Sequence, residues 1–314
     1  MDSEGRPQQP LVIEVKGNSL DDGPGIRSVV FLKGCPLDCA WCQNPESKKA
    51  HAELLYDKEK CVGARECVRV CPEKGALTYD STLHIDREKC TLCFLCVGPC
   101  PSTALSRVGS EMSVDEIVGK ITPYKPFFEN SGGGATISGG EPTLFMEFTS
   151  SLLRSLKEEN IHTLLETCCW FDFDKFESLI LPFVDMVYAD IKLIDPEEHK
   201  RWCGVENERI LQNFIRLHKQ SQADGFELLP RTPLIPEITD TDANIHGIAE
   251  FYRENGVKTA GLEKNNPLWF DKCERLGVES GFSDTSPARA FYDQEKFERA
   301  KKVFVDKGID ILEI

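Results

Sequence analysis

The sequence predicts an α/β fold: a partial (β/α) TIM-like barrel carrying a small inserted domain. Three observations predict it. From about residue 113 onward, short apolar runs alternate with stretches of helical periodicity. Such alternation is the pattern of parallel strands joined by right-handed crossovers. The runs amount to six or seven strand–helix units, fewer than a full closed barrel needs. Between 51 and 107 the texture changes to short segments dense in Cys, with Pro at 72, 99 and 101, so this stretch interrupts the series.

In chain order, Leu11–Val15 reads as a strand, and Ser28–Leu32 as a second that leads into a cysteine cluster. Ser113 is a helix N-cap with Asp115 and Glu116 in the first turn; its side-chain oxygen satisfies free N–H groups, and the carboxylates face the positive end of the helix dipole. Strands follow at Ala135–Ser138, His162–Thr167, Met186–Leu193, Phe226–Arg231, Lys258–Leu262 and Ile309–Ile314. Helices lie between them near 145–159, 174–181, 206–219, 241–255 and 293–307. In the last helix Phe297, Ala300, Val303 and Phe304 recur at helical spacing, and Gly308 stops it. The barrel thus takes residues 1–50 and 108–314, and the insert 51–107.

Length agrees, since 314 residues suggest about two domains. With 37 Lys+Arg against 52 Asp+Glu, the net charge is −15. A chain this acidic repels a phosphate backbone, so no nucleic-acid partner is expected. No apolar run is long enough to span a bilayer. The start, MDSEGRPQQP, has neither the charged nor the apolar region of a secretory signal. The expectation is a soluble, cytoplasmic, monomeric protein. Ten of the 14 cysteines fall between 35 and 100, and clustered cysteines in a cytosolic chain of this size point to metal or redox chemistry rather than disulfides.

Cys35, Cys39 and Cys42 stand as C-x3-C-x2-C, with Trp41 before the third. Three thiolates hold three irons of a [4Fe–4S] cube and leave the fourth iron open to a ligand. A structural zinc site needs a fourth ligand at closed tetrahedral spacing, and the nearest His is His51. Upstream stands Asp21-Asp22-Gly23-Pro24-Gly25-Ile26-Arg27, and downstream Asn44-Pro45-Glu46. With these flanks the chain resembles the glycyl radical enzyme activating enzymes of the radical S-adenosylmethionine (SAM) superfamily. Ser138-Gly139-Gly140-Glu141-Pro142 resembles their G-G-E-P motif, and Asp190-Ile191-Lys192 with His199 resembles D-x-K-x6-H. Arg231-Thr232-Pro233-Leu234-Ile235-Pro236 resembles R-x-P-L-I-P, and Glu166-Thr167 an acidic–Thr pair at a strand end. All lie at or near carboxyl ends of predicted strands, the functional face of such a barrel.

The resemblance implies a mechanism. SAM chelates the open iron of a cluster held by Cys35, Cys39 and Cys42. One electron cleaves it to methionine and a 5′-deoxyadenosyl radical, which takes the α-hydrogen of a glycine in a partner glycyl radical enzyme. Asn44, Gly139, Gly140, Glu141, Asp190, Lys192, His199 and Arg231 would bind SAM. Glu166 and Thr167 would sit beside a monovalent cation. Asp22 and Lys192 would act catalytically, Asp22 meeting the incoming glycine loop. The electron would come from a flavodoxin- or ferredoxin-type donor. Physically, paired glycines let backbone approach a ligand, and Glu141 can accept from an ammonium group. Two segments depart from the family pattern: Cys168-Cys169-Trp170 follows the acidic–Thr pair, and no His stands near Asn266.

In the insert, Cys90, Cys93, Cys96 and Cys100-Pro101 form a complete bacterial ferredoxin run. Its partner run has Cys61, Cys67 and Cys71-Pro72, with Ala64 where the second cysteine would stand. Because the fourth Cys of each run ligates the other cluster, one complete [4Fe–4S] site takes Cys71, Cys90, Cys93 and Cys96. The other has only Cys61, Cys67 and Cys100, and holds either a [3Fe–4S] cluster or an incompletely thiolate-ligated [4Fe–4S] cluster. Cys168, Cys169, Cys203 and Cys273 lack metal spacing and read as buried thiols. Two alternatives remain. A radical SAM enzyme acting on a small molecule leaves D-G-P-G-I-R and R-T-P-L-I-P together unexplained. An electron-transfer iron–sulfur protein leaves C-x3-C-x2-C and G-G-E-P unexplained.

Overall fold

The structure, a computed structural model, describes residues 9–313. Most of the segment read for a signal, and the last residue of the strand expected at 309–314, lie outside them. In chain order the strands are β1 (Leu11–Ser19), β2 (Arg27–Lys33), β3 (Glu53–Tyr56), β4 (Leu77–Tyr79), β5 (Leu83–Ile85), β6 (Leu105–Val108), β7 (Gly134–Gly139), β8 (Thr163–Thr167), β9 (Met186–Asp190), β10 (Glu227–Leu234), β11 (Thr259–Lys264) and β12 (Asp310–Glu313). The helices are α1 (Glu66–Val70), α2 (Val114–Ile121), α3 (Lys125–Ser131), α4 (Met146–Glu158), α5 (Phe173–Leu179), α6 (Pro196–Cys203), α7 (Glu208–Asp224), α8 (Asp242–Glu254), α9 (Trp269–Leu276) and α10 (Gln294–Val305).

The main sheet runs β1-β2-β7-β8-β9-β10-β11-β12. From β2 to β12 all pairings are parallel, and β1 adds antiparallel at the edge. Each new strand is laid on the same side of the last. The strand order never reverses, so there is no switch point of the doubly wound kind; the winding is that of a partial barrel.

The period-2 alternation of each strand divides its side chains between two faces. Leu165, Val187, Ala189 and Leu262 belong to the large apolar core with α4, α7, α8 and α10 residues such as Leu153, Phe214, Tyr252 and Phe304. The opposite face carries a small cluster of Leu164, Tyr188 and Leu229. One step further along those strands come Glu166, Asp190 and Arg231. Sequence periodicity thus delivers charged groups to one face at one height.

Helix α2 starts as its sequence dictates. Ser113 Oγ accepts from Glu116 N (3.2 Å), and Glu116 Oε2 accepts from Ser113 N (2.7 Å), a reciprocal capping box. Three predicted strands end three or more residues from the expected position. The one expected over 11–15 continues to Ser19, the one expected over 186–193 ends at Asp190, and the one expected to end at Arg231 continues to Leu234. Helices α1, α3, α6 and α9 were not expected. Among the described residues no helix is long and apolar enough to cross a membrane.

Between the barrel elements, β3 pairs with β6 from Glu53↔Val108 to Tyr56↔Leu105, and β4 with β5. Leu54, Leu77, Leu83 and Leu105 pack there with Cys67 and Cys96 in an apolar cluster separate from the main core. This segment leans on α9. Lys58 pairs with Glu274, Arg275 lies 3.6 Å from Asp57, and Arg87 donates to the carbonyls of Leu54 (2.6 Å) and Arg275 (3.4 Å).

Candidate functional site

The C-x3-C-x2-C loop leaves the carboxyl end of β2 and is braced from two sides. Gly34 N and Cys35 N donate to the carbonyls of Ser47 and Lys48, at 2.7 and 3.0 Å. Asp38 N and Ala40 N donate to the carbonyls of Cys203 and Trp202, at 2.8 and 2.9 Å. The end of α6 thus spends its free carbonyls on the loop, which is one way a helix terminus is satisfied. Trp41 anchors the loop in the main core.

The three thiols feel one another. Burial pushes Cys35 well above the usual thiol range, with Glu141, Cys39 and Cys42 adding to the effect. Burial likewise raises Cys42 to about 11. Cys39 is lowered by a hydrogen bond from the Cys203 thiol, helped by Lys192. Thiols that resist ionisation in the apo chain are ionised by a metal that displaces their protons. Among the described residues no three His, Cys, Asp or Glu side chains converge as ligands of a single ion would. A three-thiolate donor set spread over one loop, with Lys48 and Lys192 acting on it, suits an anionic polynuclear cluster.

Beside this loop Arg231 gathers three carboxylates. NH1 lies 2.7 Å from Glu166 and 3.0 Å from Glu263, and NH2 lies 2.9 Å from Asp190. Lys192 Nζ donates to the other Asp190 oxygen at 2.8 Å. Burial would lower the Lys192 ammonium, but Asp190 outweighs it, and the pKa ends well above its ordinary value. Burial also tends to raise Asp190, yet Arg231 and Lys192 hold it below the usual carboxylate range. Glu263 fares differently: sharing one guanidinium with two other carboxylates, it is pushed up to about 7 by burial. The Arg231 guanidinium also lies 4.8 Å over the Tyr188 ring.

Several expected residues meet here, and several do other work. Glu141 is 1% exposed. Its Oε1 accepts from Thr143 N (3.1 Å), Thr143 Oγ1 (2.7 Å) and Thr167 Oγ1 (2.9 Å), and its Oε2 from Cys168 N (2.7 Å). The carboxylate expected to grip an ammonium group is turned inward and braces two βα loops. Gly139 and Gly140 approach neighbouring backbone closely. A Cβ on them would sit 2.3 Å from Leu32 N and 2.1 Å from the Gly34 carbonyl, and Gly139 has φ +111°. The Thr167 hydroxyl is committed to Glu141 and Cys169 N, while Glu166 has Arg231 on one oxygen and Ser138 on the other. The guanidinium therefore stands where a monovalent cation was expected. His199 is 1% exposed, and its Nδ1 donates to the Val205 carbonyl at 2.6 Å, holding the end of α6.

Asp22 lies apart, in the loop before β2, roughly 20 Å from the cysteine loop for a seven-residue strand. Its carboxylate accepts from Ser19, and Lys16 lies 3.9 Å away. Lys16 also lines a cavity of about 300 Å³ with Ile13, Glu14, Phe31, Asn44, Glu46 and Lys272. Asp22 itself does not line it. A larger cavity, about 860 Å³, opens at the amino ends of the strands past Asp21, Gly23 and Tyr188.

In the insert, Cys71, Cys90, Cys93 and Cys96 line one small cavity. Burial raises the Cys67 thiol, and Cys100 and Cys61 add to it, so these three face one another. Ala64 is exposed.

Sequence reading missed Glu263, Lys272 and Cys203. A glutamate at the end of an apolar run marked the first. The other two lie on α9 and α6, which were not expected.

The pattern of the Radical SAM superfamily matches residues 29–246. The isethionate sulfite-lyase activating enzyme of Nitratidesulfovibrio vulgaris is 43% identical, over 79% of this chain and 81% of its own. The (2S)-3-sulfopropanediol dehydratase activating enzyme of Klebsiella oxytoca is 38% identical, over 95% of each. The indoleacetate decarboxylase activating enzyme of Tractidigestivibacter scatoligenes is 39% identical, over 91% and 93%. A radical SAM methyltransferase from Sphaerobacter thermophilus shares the fold, with a TM-score of 0.55 and 14% identity over 97% of this chain and 76% of that one. Read with the cysteine loop and the charged strand ends, these likenesses lead to one conclusion: the chain belongs to the radical SAM superfamily, among the activating enzymes of glycyl radical enzymes.

Proposed function

We propose that Cys35, Cys39 and Cys42 hold the [4Fe–4S] cluster that takes SAM at its open iron. The cavity beneath Asn44 then admits the glycine-bearing segment of a partner enzyme. The observation that carries this reading is three half-buried free thiols on one braced loop, close enough for Cys39 and Cys42 to act on Cys35 and for Lys192 to act on Cys39. When bound, cluster and SAM supply reductive cleavage to a 5′-deoxyadenosyl radical, which removes the glycine α-hydrogen.

The chain's own residues bind, orient and exclude. Lys192, fixed by Asp190, provides positive charge for the carboxylate of SAM. Glu166, Asp190 and Glu263 crowd the one guanidinium they share and offer carboxyl oxygens to the ammonium and sulfonium groups. Glu141 and His199 hold the loops from behind. Asp22, 3.9 Å from the Lys16 that lines this cavity, meets the partner segment. Packed side chains around the site keep water and stray hydrogen donors out.

In this reading residues 51–107 form a ferredoxin-like domain. Cys71, Cys90, Cys93 and Cys96 ligate a second [4Fe–4S] cluster, and Cys61, Cys67 and Cys100 a third, incompletely ligated one. Electrons enter there from a flavodoxin- or ferredoxin-type donor. The relatives named above serve a lyase, a dehydratase and a decarboxylase, so glycine activation is what they share. The test is anaerobic reconstitution with iron and sulfide, then SAM and a strong reductant. The expected products are 5′-deoxyadenosine and methionine, and Cys42→Ala should reduce them to background. Wild-type turnover by Cys42→Ala would overturn the assignment.

A further inference from the structure

We propose that Lys272 is a positioning residue for SAM binding and acts by orienting the amide of Asn44. The inference rests on the SAM site proposed above. From α9, Lys272 Nζ donates to Asn44 Oδ1 (2.7 Å), to the Gln43 carbonyl (2.9 Å) and to Glu46, whose Oε1 lies 3.1 Å away. An ammonium has three N–H donors and no acceptor, so these partners use all of its capacity. Because the group only donates, Asn44 must present its oxygen to Lys272. Its NH2 is then left for the cavity that both residues line. What Asn44 offers a ligand is a pair of donors, suited to an acceptor atom of SAM.

The lysine also suppresses a competing arrangement. Glu46 Oε2 is buried and has no hydrogen-bond partner. A released Asn44 amide would be drawn to that acceptor and away from the ligand. Lys272 is itself well anchored. Trp269, Cys273 and Leu276 bury one side of α9, and Glu274 and Arg275 pair with Lys58 and Asp57 of the insert. The seat of the insert therefore fixes the helix that orients Asn44.

The test uses the full, reconstituted protein as wild type, Lys272→Met, Lys272→Arg, Asn44→Asp and the Lys272→Met/Asn44→Asp double variant. The readings are Kd for SAM and the change in the EPR spectrum of the reduced cluster on adding SAM, with iron content and Tm alongside. Lys272→Met should raise Kd about tenfold, or about 1.4 kcal/mol, at unchanged iron content and Tm. Lys272→Arg should recover most of the affinity. Asn44→Asp keeps the acceptor for Lys272 but loses the donors, and should weaken binding comparably. The double variant should be no worse than the weaker single, because both changes remove one function. Wild-type affinity and EPR response in Lys272→Met, multiplied effects in the double variant, or loss of iron in both Lys272 variants would each overturn the proposal. A wild-type protein that holds iron but does not bind SAM would instead overturn the cofactor assignment.

Discussion

Lys33 Nζ lies 2.7 Å from Glu53 Oε2, and Lys33 is wholly buried. This ion pair joins the last residue of β2, two positions before Cys35, to the first residue of β3. The same ammonium donates to the Glu46 carbonyl, and Lys49 lies 3.1 Å from the other Glu53 oxygen. Both ends of the cysteine loop are therefore tied to the first strand of the insert. Burial pulls the Lys33 pKa below its ordinary value while Glu53 pulls it part of the way back.

Removing one member should cost more than removing both. Lys33→Met leaves Glu53 to the half-exposed Lys49 alone. It should destabilise the protein by about 3 kcal/mol, the lower end for breaking a buried pair. Lys33→Met with Glu53→Leu should recover much of that, since apolar groups can replace such a pair. Denaturant midpoints of the three proteins check this. Excising 51–107 would remove Glu53 but not Lys33, so a cut at those bounds should behave like the single variant. A cut that also carries Lys33→Met should be the better folded of the two.

Glu141→Ala should act on stability before it acts on SAM. The change leaves the Cys168 N–H and the hydroxyls of Thr143 and Thr167 without their acceptor. An unsatisfied buried group costs about 1–3 kcal/mol, and hydroxyls can turn to other partners, so a fall in Tm of roughly 5–10 °C is expected. Glu141→Gln keeps the shape and should lose less. If Glu141 instead gripped the ammonium of SAM, Glu141→Ala would weaken SAM binding at an unchanged Tm. Thermal melts with and without SAM separate the two.

How much of this was legible follows from where the information sits. The strands of the main sheet were legible because each is an apolar run, and the start of α2 because Ser113 and Glu116 satisfy each other locally; β3 to β6, of three or four residues each, are too short to show a pattern. Helix α6 was not: only His199 and Cys203 are buried along it, too few to mark a face. Helix α9 does show a stripe at Trp269, Cys273 and Leu276, but in eight residues just after Pro267 that stripe is short. The site divides the same way. The cysteines could be placed from their spacing, and the strand-end charges from the motifs they share with the family they resemble. The inward turn of Glu141 could not, because its partners Thr167 and Cys168 lie on the next strand and its loop.

The Glu263 carboxyl gives a pH signature. Its folded pKa, about 7, lies above the 4.5 expected of a free glutamate. Between those values the folded protein keeps a proton that the unfolded chain has released. Stability must then fall as pH rises through that window. The groups around it are Arg231, Asp190, Glu166 and Lys192. Glu263→Gln removes the titration, so its stability should decline less than the wild type's between pH 5 and about 7. Urea midpoints across that range check the difference; parallel curves would mean that Glu263 is ionised throughout.

The final prediction concerns Ala64. Ala64, where the proposed site of Cys61, Cys67 and Cys100 would have its fourth corner, is exposed, and a methyl group cannot bind iron. By contrast Cys71, Cys90, Cys93 and Cys96 close around their own cavity. A cube with one unprotected iron loses it readily, so the open site should be isolated as [3Fe–4S] and the closed one as [4Fe–4S]. Fewer thiolates also mean less negative charge, which shifts the potential of the open site upward. Electrons should therefore reach SAM chiefly through the closed site. The measurement is made on protein with Cys35, Cys39 and Cys42 all changed to Ala, so that only the insert is seen. Ala64→Cys on that background should raise the iron content by about one per chain and abolish the EPR signal of an oxidised three-iron cluster. Lowering of the higher of two reduction potentials should accompany it. If Ala64→Cys alters neither iron content nor spectrum, Ala64 is not the missing corner, and the two cysteine runs do not stand in the register that pairs Cys100 with Cys61 and Cys67.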